Sequence, residues 1–199
     1  MKRALIGAGG HAQEVRAHMG DFTIPCFVDD NYWSPNPTNI FPLSKFDPTE
    51  YEVIIALGSS KDRFDVAQRL PKETKYFTYI HPSAQLLAKD IRIGEGSFIG
   101  ANCVLTYNIK IGNHALLNRA VHIGHDCRIG NYFSAMPGAI VSGNVTMFDL
   151  VYMGTNSSIK EKLSIYSLAT IGANAAIVKH IKEPGIYAGV PAKKIKSNV

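Results

Sequence analysis

The chain reads as two parts. A small α/β N-terminal domain with a Rossmann-like parallel sheet precedes an all-β, left-handed parallel β-helix of hexapeptide repeats. Stepping by six from Leu87 to Ile177 meets sixteen residues, all apolar. At the chain's apolar fraction of 46%, one frame would do this by chance about four times in a million. The residue two before each step is mostly small or apolar (Cys103, Ala115, Val121, Cys127, Ala139, Val151, Ala169, Ala175), and the one after is often glycine (Gly94, Gly100, Gly112, Gly124, Gly130, Gly154, Gly172). Ahead of the repeat, strand-like runs alternate with helix-like ones, which predicts a parallel sheet.

With 199 residues, the chain is long enough for one or two domains. Charged residues make up 19% and the net charge is +5. That suits an ordinary basic protein or one with a phosphate-bearing partner. The basic residues are not interleaved with aromatics along a face, so nucleic acid is not expected. The apolar run at Ala4–Ile6 is too short for a signal peptide and no window approaches a membrane span, which predicts a cytoplasmic protein. Cys26, Cys103 and Cys127 are odd in number and lack metal spacing. Cys103 and Cys127 fall in an inward phase and are expected to pack as small hydrophobes.

Residues 1–80 are expected to form the α/β domain. Ala4–Ile6 reads as a strand, Gly7 to Ala12 as a glycine turn and Gln13 to Met19 as a helix. A second strand covers about Ile24 to Val28 and ends in Asp29–Asp30. Tyr32 to Pro48 is irregular, and Val53 to Leu57 is a third, fully apolar strand. Ser59 and Ser60 offer an N-cap for a helix from Lys61 to Leu70, and Tyr76 to Ile80 is a candidate fourth strand. The turn G-x-G-x-x-A with an acid about twenty residues on matches a dinucleotide fingerprint. The domain supplies only half of a doubly wound sheet, so a site for one nucleotide is expected. Gly7, Gly9 and Gly10 would let backbone N–H groups approach a diphosphate. His11 stands at the helix start, Asp29 or Asp30 would accept hydrogen bonds from base or ribose, and Gly58–Ser59 lies on the same carboxyl edge.

Residues 81–182 are expected to form the prism, with three hexads per eighteen-residue coil and an unbroken beat from Leu87 to Ile177. An interior of Ile, Leu and Val leaves no ligand cavity. Chemistry belongs on the outer corners or between prisms, and a cyclic homotrimer is the expected assembly. Among outward residues, His125 sits at a corner beside Asp126, the pairing a general base needs. His122 lies on a strand and His114 at another corner. A zinc site would need three converging imidazoles. His122 and His125, three apart on one edge, do not supply them, so no metal is expected.

Seven segments carry a family resemblance: GAGGHAQEV at 7–15, FVDD at 27–30, ALGSS at 56–60, IHPSA at 80–84, HIGHDC at 122–127, GAIVSGNV at 138–145 and AGVPAKKI at 188–195. In this order and spacing the chain resembles the hexapeptide-repeat sugar acetyltransferases. These include nucleotide-sugar N-acetyltransferases of bacillosamine type and sialic-acid O-acetyltransferases. The resemblance implies acetyl-CoA as co-substrate and a nucleotide-linked (UDP or dTDP) amino sugar as acceptor, in bacterial surface glycan synthesis. It implies His125 as base, Asp126 as its acidic neighbour and the Gly143 N–H facing the thioester carbonyl. Asn118, Gly154, Gly172 and the final GVPA segment with Pro191 would line a coenzyme A groove between subunits. Residues 183–199, with Lys193 in a basic cluster, would reach the coenzyme's phosphates. Gly9, Gly10, His11, Asp29, Asp30, Gly58 and Ser59 would hold the nucleotide. Members often carry a histidine near position 134, where this chain has Ser134. The alternatives are O-acetylation of a sialic or related acid sugar, zinc-dependent carbonic anhydrase chemistry of the γ type, and a non-catalytic trimeric scaffold.

Overall fold

The computed structural model describes residues 1–35 and 38–197. Two residues of the Tyr32–Pro48 stretch and the last two of the C-terminal tail lie outside them. In the first part, strands β1 (Lys2–Ile6), β2 (Cys26–Val28), β3 (Ile40–Pro42), β4 (Tyr51–Ile55) and β5 (Lys75–Tyr76) form one sheet in the order β3-β2-β1-β4-β5. All its pairings are parallel. Helix α1 (Gly10–Met19) follows β1 and α2 (Ser60–Arg69) follows β4. Gly20 ends α1 at φ +66, the left-handed conformation that glycine adopts without strain. The Ser59 hydroxyl caps α2 by accepting from the Asp62 N–H.

Two expectations change here. Strand β3 lies inside the stretch expected to be irregular; it is a three-residue edge strand ending in Pro42, too short for a pattern to register. The Tyr76–Ile80 segment is not one strand. Lys75–Tyr76 closes the first sheet, whereas Tyr79–Ile80 pairs with Phe98–Ile99 and opens the prism.

The prism follows from the beat. From Ile99 to Ile177 every beat residue is at most 5% exposed, and the residues two before them, Ser97 to Ala175, are all buried, the apolar ones in the same core. Two-residue strands stack on the strand eighteen residues on, as Leu105 on Ile123 and Ile111 on Ile129. The exception is the first coil. Leu87 is 62% exposed, and Leu86 takes the inward place, paired with Leu105. One extra residue between Leu86 and Ile93 shifts the phase, so the unbroken beat starts at Ile93.

The glycines have a different reason from easy turning. At the corners, the residue three after each beat is left-handed, and it is mostly not glycine: Asn102, Asn108, His114, Asp126, Asn144 and Asn156 all have φ near +50 to +60. The glycine one after the beat instead faces the next coil. A Cβ on Gly130 would stand 2.7 Å from the Phe148 carbonyl carbon, and one on Gly154 would stand 2.6 Å from the Ala173 nitrogen. Stacking at strand spacing leaves no room for a side chain there.

The three faces differ. One presents Phe98, Leu116 and Ser134, which are buried against the first domain in a shared core with Leu5, Ala12, Val15, Ile54 and Ala56. A second presents Val104, His122, Ile140, Ser158 and Ala176, none of which is charged at neutral imidazole. The third presents Arg92, Lys110, Arg128, Thr146 and Ser164. At the far end Gly185–Gly189 extends the first face in parallel and Ala192–Lys196 folds back on it, so the tail is part of the sheet.

The seam between domain and prism holds Arg63, 2% exposed. Its guanidinium donates to the carbonyls of Leu57, Gly58, His114, Tyr132 and Phe133 and to the Ser134 hydroxyl. Burial pushes its pKa down to about 9, which leaves it cationic at neutral pH. His114 lies beside it, stacked on Tyr132 and edge-on to Tyr76, with its buried Nδ1 unpaired among the described residues. Burial, then Arg63, lowers the His114 pKa from the ordinary 6.5 to about 4.

Two predictions follow from this seam. Arg63→Met strands five carbonyls and should lower stability by about 3 kcal/mol or more, read from urea unfolding. His114 is a base whose pKa is lower folded than unfolded, so the unfolded chain binds the extra proton between pH 6.5 and 4. Stability should fall as pH drops through that window, by about 3 kcal/mol in the limit. The slope should flatten in His114→Phe, measured by urea midpoints at stepped pH.

Candidate active site

His125 follows the strand His122–Ile123 and stands at a corner with Asp126, whose φ is +61. The left-handed backbone at Asp126 turns its carboxylate back along the coil. Asp126 Oδ2 lies 2.8 Å from His125 Nδ1, and Asp126 Oδ1 accepts from Asn108 Nδ2 at 2.6 Å. These two hydrogen bonds, His125 first, hold the Asp126 carboxyl below the usual carboxylate range. An ionised carboxylate only accepts, so the Nδ1 facing it carries the proton, and in the neutral ring the lone pair is on Nε2. The ring is more than half exposed.

Nε2 points at the coil above. A Cβ built on Gly143 would stand 2.6 Å from His125 Nε2 and 2.8 Å from Cε1, so only glycine leaves the ring its place. The Gly143 carbonyl accepts from Lys162, and its N–H makes no hydrogen bond among the described residues. His125, Asp126 and Gly143, expected to act together, are therefore side by side. Asn108 was not among the expected residues. It lies eighteen residues before Asp126, at the same corner one coil away, so the phase of the repeat would have found it.

The first domain supplies a cavity of about 590 Å³ at the carboxyl edge of its sheet, lined by Gly7, Ala8, Asp29, Tyr32, Asp62 and Arg69 among others. Asp29 is held by Arg69 Nη1 at 2.9 Å. Gly9 and Gly10 at the start of α1 face open space. The other expected nucleotide residues point elsewhere. Asp30 accepts from Ser44 and lines a smaller cavity beyond β2. Gly58 gives its carbonyl to Arg63, and Ser59 faces a separate groove with Leu150 and Tyr152. His11 is mostly buried against Phe98, which lowers its pKa, and it meets Glu14 at 3.4 Å.

Of the expected coenzyme residues, Gly143 stands beside His125 and the others share a different corner of the prism. Asn118, Gly154 and Gly172 each follow the face packed on the first domain, and Gly172 touches Ala188, which pairs with Lys193. Pro191 is at the tip of that hairpin. Asn118 is buried, with its amide directed at Glu14. Of the basic cluster, Lys194 pairs with Glu183. Ser134 is fully buried and bonded to Ser60, Arg63 and Gly58, so this position belongs to the domain seam. Cys103 and Cys127 are buried in the prism core. Among the described residues no group of three or more His, Cys, Asp or Glu is placed to hold a metal, and no helix is long and apolar enough to cross a membrane.

Known proteins agree with this architecture. The family model for the PglD N-terminal domain matches residues 2–70. GDP-perosamine N-acetyltransferase of Escherichia coli O157:H7 is 26% identical over 172 residues, which cover 79% of this chain and 77% of that protein. The acetyltransferase domain of PglB from Neisseria gonorrhoeae FA1090 matches with a TM-score of 0.84 at 26% identity, covering 98% of this chain and 99% of that one. It is also solved in complex with acetyl coenzyme A. WeeI from Acinetobacter baumannii AYE matches with a TM-score of 0.84 at 26% identity, over 98% of this chain and all of that one. These matches make the chain similar to the hexapeptide-repeat sugar acetyltransferases over nearly its whole length. It is an acyltransferase, and its prism is the left-handed form of the parallel β-helix. Another relative is the UDP-3-O-acylglucosamine N-acyltransferase 1 of Sulfurimonas denitrificans, and the chain spans only 32% of its length.

Gly143→Ala tests the juxtaposition. Its methyl must displace the His125 ring, while the backbone there suits any residue. The variant should fold normally, and its His125 imidazole signals in NMR should move away from their wild-type positions.

Proposed function

We propose that the protein transfers the acetyl group of acetyl-CoA to the amine of a nucleotide-linked amino sugar, with His125 as general base. The observation that carries this is the His125 Nε2 lone pair held against Gly143, with Asp126 fixing the tautomer from behind. The relatives support the chemistry: one is named for N-acetylation of a GDP-linked amino sugar, and another is solved with acetyl coenzyme A. The cavity beside the glycine turn, with Asp29 at its rim, supports a nucleotide-linked acceptor.

In this mechanism the acceptor amine attacks the thioester carbonyl in a ternary complex. A C–N bond forms, the carbonyl π pair moves to oxygen, and the Gly143 N–H donates to that oxyanion. Nε2 takes the proton released by the attacking nitrogen. Collapse breaks the C–S bond, and the proton goes to the departing thiolate. Asp126 stabilises the transient imidazolium. No acyl-enzyme is needed, and the buried cysteines stay out of the reaction.

Asn118, Gly154 and Gly172 stand on a different corner of the prism from His125 and Gly143, so one chain does not bring the two sets together. A neighbouring copy does if the uncharged Val104–His122–Ile140 face is the contact, which supports a cyclic homotrimer with sites between subunits.

The test is release of free thiol from acetyl-CoA against a panel of UDP-, dTDP- and GDP-amino sugars, their amine-blocked forms and sialic acid. We expect release only with a free amine on a nucleotide-linked sugar. Release with sialic acid alone would favour O-acetylation, and no acceptor-dependent release would sink the proposal. His125→Ala should lower turnover by about 10²–10⁴-fold.

A further inference from the structure

Behind the His125–Asp126 pair lies a polar chain that ends on a cation. Arg128, outward on the next strand, donates from Nη2 to Asn108 Oδ1 at 3.0 Å, and from Nη1 to the Asn108 carbonyl at 2.6 Å and its neighbour Cys127's at 2.9 Å. Asn108 Nδ2 then donates to Asp126 Oδ1, and Asp126 Oδ2 faces His125 Nδ1. The orientation of the Asn108 amide is decided by this chain. Arg128 has only donors, so the amide oxygen must face it and the amide nitrogen must face the carboxylate. Each link polarises the next.

We propose that Asn108 and Arg128 are positioning residues for the base, which hold Asp126 as a pure acceptor and so keep the His125 proton on Nδ1 and the lone pair on Nε2. This rests on the reading of His125 as general base. With Asn108 removed, Asp126 Oδ1 loses its donor, and the carboxylate is free to rotate off the imidazole plane. The neutral ring can then take its other tautomer, with a proton on Nε2 where the amine must deliver one. Neither residue touches a substrate in this scheme; both act through Asp126. The charged groups around Asp126 are His125 on its own corner, Arg128 on the adjoining strand and, below Asn108, Asp90, whose Oδ1 accepts from the Asn108 N–H.

Two substitutions separate positioning from a merely structural role. Asn108→Gly deletes the amide and fits the left-handed backbone at that corner, φ +49. Nitrogen-15 NMR of His125 should show the Nε2–H tautomer gaining population. Turnover should fall about ten- to hundredfold, the range typical for the orienting partner of a functional histidine, with KM for acetyl-CoA little changed. Arg128→Met, which frees the Asn108 amide to flip, should move the tautomer the same way. Asn108→Asp sets a carboxylate against Asp126, and such a pair takes up one proton at raised pH. The protonated form restores an O–H donor to Asp126. The ratio of Asn108→Asp to wild-type rates should therefore climb as pH falls from about 8 to 6, while the ratio for Asn108→Gly stays flat. A flat ratio for Asn108→Asp, or an unshifted tautomer in Asn108→Gly, overturns the proposal. Failure of the base reading shows separately, as turnover that survives His125→Ala, and the NMR measurement still decides the positioning role.

Discussion

The buried guanidinium of Arg63 makes two modules into one structure. Five carbonyls, from the end of β4 and from successive prism corners, converge on a place with no backbone donor to meet them. A buried carbonyl left unpaired is costly. Arginine answers that need because its planar group is all donors, five N–H bonds in a fixed fork, and lysine would offer a point charge with fewer directions. A bare cation in the same place would be unfavourable. Here the partial charges of the carbonyls compensate it, and its remaining cost shows in the lowered pKa of Arg63 and in the neutrality of His114 beside it. The front cavity is thereby held at a set orientation to the prism.

Stacking imposes the second constraint. Each corner repeats eighteen residues on, so a side chain on one coil has fixed neighbours on the coils above and below. His125 is where it is because residue 143 has no side chain and residue 108 offers an amide. A site of this kind needs no pocket within the chain. It needs one corner column with the right residue at three consecutive levels, and the sequence carries that column at 108, 126 and 143–144.

Much of this was legible from residues alone, for a physical reason: a hexad repeat is local, and a beat read along the sequence is also a beat in space. The pairing of His125 with Asp126 follows from it, whereas Gly143, eighteen residues on from His125, was expected from the family resemblance. The phase slip at Leu86–Leu87 escaped because an apolar residue stands on both sides of it, so the pattern reads the same in either frame. Asp30 and Ser59 point away from the first cavity for another reason. Both sit at strand ends on the carboxyl edge, where ligand contacts are common, but the turn after β2 sends Asp30 to Ser44 and the cap of α2 sends Ser59 toward the prism. Ser134 and Arg63 met through contacts more than sixty residues apart, which no local pattern encodes.

The prism's threefold section also bears on where two substrates can meet. His125 occupies one corner column, and Asn118, Gly154 and Gly172 occupy another, with the interior between them filled by close-packed Ile, Leu, Val and Met. No rotation of side chains brings these columns together, because the strands that separate them are two residues long and locked to their neighbours on both sides. On the proposed reading, a thioester lying along the second corner would reach His125 only from a different copy. Two prisms packed side by side, as proposed, would do this without altering either. The face between the two corners, presenting Val104, His122 and Ile140, carries no Lys, Arg, Asp or Glu on its strands to desolvate when it is covered, whereas the Arg92–Lys110–Arg128 face would set like charges together. Charge distribution thus favours burying the neutral face and leaving the basic one open, beside the corner where His125 stands.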